Sequence, residues 1–165
     1  MVLRALAVRE ELVRTLQRMA AGGLVQGTEG NASARVGELI AVSPSGLPYE
    51  TLRAEDVCLV TPDGRLVEGP KPSVELPMHI AVYAARPDVG AIVHTHSPRA
   101  TADSPAPLAE GESGTRELGA AVVAAVGGGH AVVMRDHGPV CFGSDLAEAL
   151  ARAFALEARA GRREP

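Results

Sequence analysis

At 165 residues the chain is long enough for one domain with a sizeable core, and a single domain over 1–165 is the expectation. Hydrophobic residues at 46% and charged residues at 22% describe an ordinary globular protein rather than a disordered or fibrous one. A formal net charge of −4 with no basic stripe argues against a nucleic-acid partner, and no apolar run reaches the roughly 20 residues of a membrane-spanning helix.

The N-terminal residues carry apolar positions at Leu6, Val13, Leu16 and Met19, separated by Arg and Glu, which predicts a helix from about Arg4 to Ala21. Gly22-Gly23 stops it. This start lacks the apolar core of a signal peptide, so a cytoplasmic location is expected. Gly27-Thr28-Glu29-Gly30-Asn31-Ala32-Ser33 is a turn feeding a strand through Val36, and a second strand over Glu38–Ser43 closes on Ser43-Pro44-Ser45-Gly46. A helical turn at Leu52–Asp56 leads to a strand at Val57–Val60. Asp63-Gly64 then predicts a hairpin back through Arg65–Val67.

Ser73 is the expected N-cap of a helix over Val74–Ala85, with Pro77 tolerated in its first turn. A strand from Ala91 to His96 follows. Ser97–Thr115, with Pro98, Pro105 and Pro107, is too long for a plain connector and reads as an active-site loop or a partly disordered one. A helix over Arg116–Val126, strands at His130–Met134 and Val140–Phe142, and a helix over Leu146–Ala160 capped by Ser144 or Asp145 complete the chain. Cys58 and Cys141 sit in apolar strand-like runs and read as reduced core residues. Hairpin-length spacings favour antiparallel pairing within a mixed α/β layer structure.

His94 and His96 carry the first chemical signal. Alternation along a strand puts both on one face, a spacing that lets two neutral imidazoles reach one metal ion. Glu75 upstream and His137 in Arg135-Asp136-His137-Gly138 downstream add two further donors from separate elements. Glu75 alone is equally a first-turn glutamate favoured by the helix dipole; beside a metal it would serve as a fourth ligand or a base. His79 lies one helical turn beyond Glu75 and either supports such a site or packs on the sheet. The two glycine-rich turns, with Ser73, offer backbone N–H groups and hydroxyls suited to an anionic substrate.

The ordered set Gly-Thr-x-Gly-Asn-x-Ser, Ser-Pro-Ser-Gly, Pro-Ser-x-Glu-x-x-x-His, His-Thr-His, Gly-Thr-Arg-Glu-Leu-Gly and His-Gly resembles the class II aldolase/adducin head family from about Gly22 to Arg159. The resemblance implies a three-layer α/β/α fold with a central, largely antiparallel sheet, assembled as a homotetramer. It implies one zinc ion per subunit on Glu75, His94, His96 and His137. It implies contacts to a sugar phosphate from Thr28, Gly30, Asn31, Ser45, Gly46, Ser73 and Val74, with Glu75 as the catalytic acid/base. The activity implied is reversible cleavage of a ketose 1-phosphate, such as L-fuculose 1-phosphate, into dihydroxyacetone phosphate and an aldehyde. A methylthioribulose-phosphate dehydratase, a sugar-phosphate 4-epimerase and a non-catalytic adducin-like module are the alternatives, and the epimerases carry Asp where this chain has Glu75.

Three departures stand out. Val74 replaces a serine of the family's sugar-phosphate aldolases. The segment between His96 and His137 is shorter and lacks their tyrosine, and the chain ends soon after the last helix, without the tail that carries another. Tyr49 and Tyr83 match neither position.

Overall fold

A computed structural model describes residues 3–160. Helix α1 (Leu6–Ala21) is followed by strands β1 (Asn31–Val36) and β2 (Leu39–Val42), two 3-10 turns, then β3 (Cys58–Val60) and β4 (Leu66–Glu68). Helix α2 (Leu76–Ala85), strand β5 (Ala91–His94), the short helix α3 (Pro98–Ala102) and β6 (Leu108–Ala109) come next, before helix α4 (Arg116–Val126). Strands β7 (Ala131–Met134) and β8 (Gly138–Gly143) and helix α5 (Leu146–Arg159) complete the order.

The strands form one sheet of order β4-β3-β2-β1-β5-β8-β7-β6, antiparallel throughout except for the parallel pair β6–β7. Two apolar cores lie on its two faces. One packs α1, α3 and α5 through Leu12, Leu16, Met19, Ala100, Leu150 and Ala153. The other packs α2 and α4 through Met78, Val82, Leu118 and Val122 against Ile92, Val132 and Phe142. The expected three-layer arrangement is present.

Local sequence explains most of the elements. In α5 the buried residues Leu146, Ala149, Leu150, Ala153 and Leu156 recur at helical spacing, and Asp145, not Ser144, caps the helix by accepting from Glu148 N. Helix α4 begins where the sequence places it, with Thr115 Oγ1 accepting from Leu118 N. Helix α2 starts two residues later than expected, because its N-cap is Glu75; Ser73 Oγ instead accepts from Glu75 N at 3.3 Å.

One expectation needs correction and one residue was not anticipated. The Ser97–Thr115 stretch is not irregular throughout: Pro98 opens α3, and Leu108–Ala109 pairs with Val133–Met134. Arg9, which the helical pattern does not distinguish from its neighbours, is fully buried; its guanidinium donates to Ala54 O and Val57 O and pairs with Glu68 at 2.6 Å. Burying that charge is tolerable because its donors are shared among acceptors.

Candidate functional site

The site sits at the end of the two central strands. Asn31 on β1 and His94 on β5 are direct cross-strand partners, and His94 also faces Val140 on β8. His96 lies beyond the end of β5, so strand alternation does not place it. It is held by its backbone, with His96 N donating to Leu24 O and Thr95 N to Pro139 O. His137 arrives on the tight β7–β8 turn, where Asp136 takes the left-handed conformation (φ 55°) that Asp tolerates better than most residues. The next residue, Gly138, has φ 152°, and a Cβ there would stand 2.0 Å from Thr95 O. Only glycine lets the turn approach the His-Thr-His segment closely enough to bring the third imidazole in.

The three histidines offer ring nitrogens within 4.8 Å of one another. His94 Nδ1 lies 3.0 Å from Pro139 O; a carbonyl only accepts, so Nδ1 carries a hydrogen and Nε2 is the atom turned to the site. That Nε2 lies 3.1 Å from His96 Nε2 and 3.1 Å from Glu75 Oε2. The other oxygen of Glu75 is 3.4 Å from His137 Nε2. Three imidazoles and one carboxylate turned towards one point form a donor set that fits zinc.

Electrostatics agree with the geometry. Burial pulls the His96 imidazole down to about 4, with the neighbouring His94 and His137 acting in the same direction, so it stays neutral and able to ligate. His137 is lowered by the same causes. Burial works against the charge of Glu75, but His94, Asn31 and His137 around it hold its carboxyl well below the usual range. Glu75 is therefore an ionised carboxylate with only 3% of its surface exposed.

Beside this cluster lies a cleft of about 250 Å³. The Ser-Pro-Ser-Gly turn is stapled to the segment before α2 by Ser45 N to Lys71 O (2.9 Å) and Ser73 N to Ser43 O (3.0 Å), across the Pro44–Pro72 bridge. That staple puts Ser45, Gly46, Ser73 and Val74 on one wall. Thr28, Gly30, Asn31, Glu75, His96 and His137 line the same cleft. Gly30 (φ 69°) is required there, since a Cβ would strike His94 O and Val25 at 2.6 Å. The structure thus brings all the residues singled out from the sequence to one place, with His94 fully buried behind the cleft.

Sequence reasoning missed Ser113. Its Oγ donates to Glu75 Oε1 at 3.0 Å from the last turn of the Ser97–Thr115 loop, and no motif marks it. It also missed Glu29, whose carboxylate lies 3.6 Å from His96 Nδ1. His79, left open between two roles, is fully buried and lies 2.5 Å from Asn31 Oδ1. Neither tyrosine offers its hydroxyl to the cleft: Tyr49 donates to the carbonyls of Glu29 and Gly30, and Tyr83 meets Ser33 beneath α2. Cys58 and Cys141 are buried and free, and burial pushes both thiols up to about 12. No helix is long and apolar enough to cross a membrane among the described residues.

Comparison with known proteins gives a consistent result. The family model of the Class II Aldolase and Adducin N-terminal domain matches residues 10–106 and 104–162. A 5-deoxy-D-ribulose 1-phosphate aldolase of Bacillus thuringiensis serovar kurstaki is 48% identical over 95 residues, 56% of this chain and 45% of that protein. That match therefore spans under half the length of the relative. An L-fuculose phosphate aldolase of Escherichia coli O6:H1 is 34% identical over 167 residues, 89% of this chain and 78% of the other. A solved L-fuculose 1-phosphate aldolase superposes with a TM-score of 0.88 at 27% identity, covering 96% of this chain and 84% of that one.

Proposed function

The chain belongs to the class II aldolase and adducin N-terminal domain family, and from that premise we propose that it is a zinc-dependent aldolase of ketose 1-phosphates. Its reaction would be the reversible cleavage of a substrate such as L-fuculose 1-phosphate or 5-deoxyribulose 1-phosphate into dihydroxyacetone phosphate and an aldehyde. One observation carries the reading: an ionised, buried carboxylate is shared between an imidazole cluster and a cleft lined by two small-residue turns and Ser73. Metal, base and anion cradle then stand within one substrate's length.

His94, His96, His137 and Glu75 would hold the ion. When bound, zinc supplies Lewis acidity for the negative charge that develops on the donor oxygens as the carbon–carbon bond breaks. The phosphate is held by Asn31, Ser45 and Ser73 and by the backbone of Gly30, Gly46 and Val74, with Thr28 at the lip. Glu75 moves the proton at the donor carbon; substrate entry frees its carboxylate for that task, while Ser113 and Asn31 keep each oxygen aimed. The exposed Val74 side chain (58%) offers no hydroxyl, so the phosphate grip is weaker by one donor. A cytoplasmic homotetramer is the proposed assembly.

The test is retro-aldol turnover on a panel of ketose 1-phosphates, with metal content measured in the same preparation. Proton exchange at the donor carbon of dihydroxyacetone phosphate, followed by NMR in heavy water, runs beside it. The loop supplies no tyrosine to protonate the acceptor oxygen, and losing one general-acid contact costs about 10²–10⁴-fold. Brisk exchange beside slow cleavage is the expected signature. Zinc bound with neither reaction would replace the aldolase by the dehydratase.

A further inference from the structure

Glu75 is the end of a line of hydrogen bonds that runs away from the cleft, between β1 and α2. Its Oε2 accepts from Asn31 Nδ2 at 2.8 Å, and Asn31 Oδ1 lies 2.5 Å from His79 Nε2. His79 Nδ1 is 2.6 Å from Ser33 Oγ, which is 2.8 Å from the Tyr83 hydroxyl. All five side chains are buried, so water does not substitute for any member. Asn31 and Ser33 share one face of β1, and His79 and Tyr83 lie one turn apart on α2. The far end is itself pinned: Arg35 stacks 4.7 Å over the Tyr83 ring and donates to its backbone oxygen.

The direction of every bond follows from the ends. Asn31 turns its NH2 to Glu75 Oε2 and its carbonyl oxygen to His79. That oxygen only accepts, so His79 carries its hydrogen on Nε2 and leaves Nδ1 bare. Ser33 donates to Nδ1, and Tyr83 donates to Ser33. Reversing any single member sets two like atoms face to face in a buried site. A carboxamide in the middle does not pass a proton onwards without becoming its imidic form, so the line orients rather than conducts.

We infer that His79 is a positioning residue that acts through Asn31, fixing Glu75 Oε2 towards the imidazole cluster and the second N–H of the Asn31 amide towards the cleft. The kinetic consequence rests on the proposed role of Glu75; the hydrogen-bond arrangement does not. His79→Leu removes both partners, whereas His79→Gln keeps a donor for Asn31 and an acceptor for Ser33.

Imidazole nitrogen NMR on the zinc-loaded full chain, with the His79 signal identified by its loss in His79→Gln, reads the arrangement directly. A neutral ring with hydrogen on Nε2 is expected, and hydrogen on Nδ1 overturns the inference. In turnover, His79→Leu should lower kcat about 10–100-fold at unchanged zinc content, with a smaller change in KM, and His79→Gln should restore it to within a few-fold. Equal turnover in the two folded variants overturns the positioning role. If the parent cleaves no ketose 1-phosphate, the aldolase reading fails, and the visible spectrum of the cobalt(II)-loaded protein decides: it should change in His79→Leu and not in His79→Gln, and an unchanged spectrum in both overturns the inference. Should His79→Leu not fold, Ser33→Ala, which deletes one oxygen and leaves Nδ1 unpartnered, should lower kcat a few-fold; no loss with it counts against the inference equally.

Discussion

The inner and outer sides of the cleft are made of different material. On the inner side Asn31, Glu75 and His94 are each no more than 4% exposed, stand on or beside paired strands, and have all their polar atoms partnered. The outer side is Val74 at 58% exposure, Glu29 at the lip, and Ser113 on a loop interrupted by prolines. Geometry-sensitive work such as aiming a base needs side chains locked by neighbours, and the interior supplies that. The rim is held less tightly, and substitutions there should alter selectivity before they alter chemistry.

The largest break in this contrast should come from the cluster at the boundary. His96→Ala removes one of three imidazoles, and both bound metal and turnover should be lost, the latter by roughly 10³-fold or more. Metal analysis showing full occupancy in that variant would sink the ligand assignment. Glu75→Gln should retain fold and metal while turnover drops about 10²–10⁴-fold. A rate within a few-fold of the parent removes Glu75 from the proton step.

The inner side should also register as a pH dependence of stability. Burial lowers both His79 and His96 to about 4, against about 6.5 in an unfolded chain. A folded state that resists protonation binds fewer protons than the unfolded state in this window, so stability falls as pH falls from about 6.5 to about 4. For the fully buried His79 the loss is on the order of 3 kcal/mol. Denaturant titrations of the chelator-treated protein at pH 7 and pH 4.5 should show it, with a smaller drop in His79→Gln. An equal drop in both would assign the effect to other groups.

Smaller effects are expected from the single donors around Glu75. Asn31→Ala should weaken dihydroxyacetone phosphate about 10–100-fold, the range of a hydrogen bond to a charged group, and unphosphorylated dihydroxyacetone much less. Competition assays showing equal weakening would move the phosphate elsewhere. Ser113→Ala leaves Glu75 Oε1 with His137 alone; a loss of about 1 kcal/mol, near fivefold in kcat, is expected. An unchanged kcat would make Ser113 a bystander.

Much of this was legible in the sequence because local pattern dictates it. Helical periodicity places α4 over Arg116–Val126, as found, and the His-x-His pair, Glu75 and His137 stand out by type and order. The same-face strand argument for His96 reached the right neighbourhood for an incomplete reason, since β5 ends at His94 and the backbone contacts of Thr95 and His96 do the placing. The two-residue strand β6 was not legible, because so short a pairing leaves no alternation to read. Nor was the contact of Ser113, or the partnership of Asn31 with His79, which are far apart in the chain and meet only through tertiary packing. The burial of Arg9 was not legible either, because a buried guanidinium looks, in sequence, like any charged residue on a helix.

The cross-strand pairing of Asn31 with His94 also bears on how the molecule assembles. β1 meets β5 across about sixty residues of chain, and β5 meets β8 across nearly fifty, so the centre of the sheet is its least local part. Closing such loops costs entropy before any contact repays it, and topologies of this kind reach the native state slowly. The hairpins β1–β2 and β3–β4 and the helices can form early, whereas the three imidazoles meet only when the central strands have found their register. Metal capture during refolding would then mark the end of the process, lagging behind the recovery of helix signal and coinciding with the last slow phase.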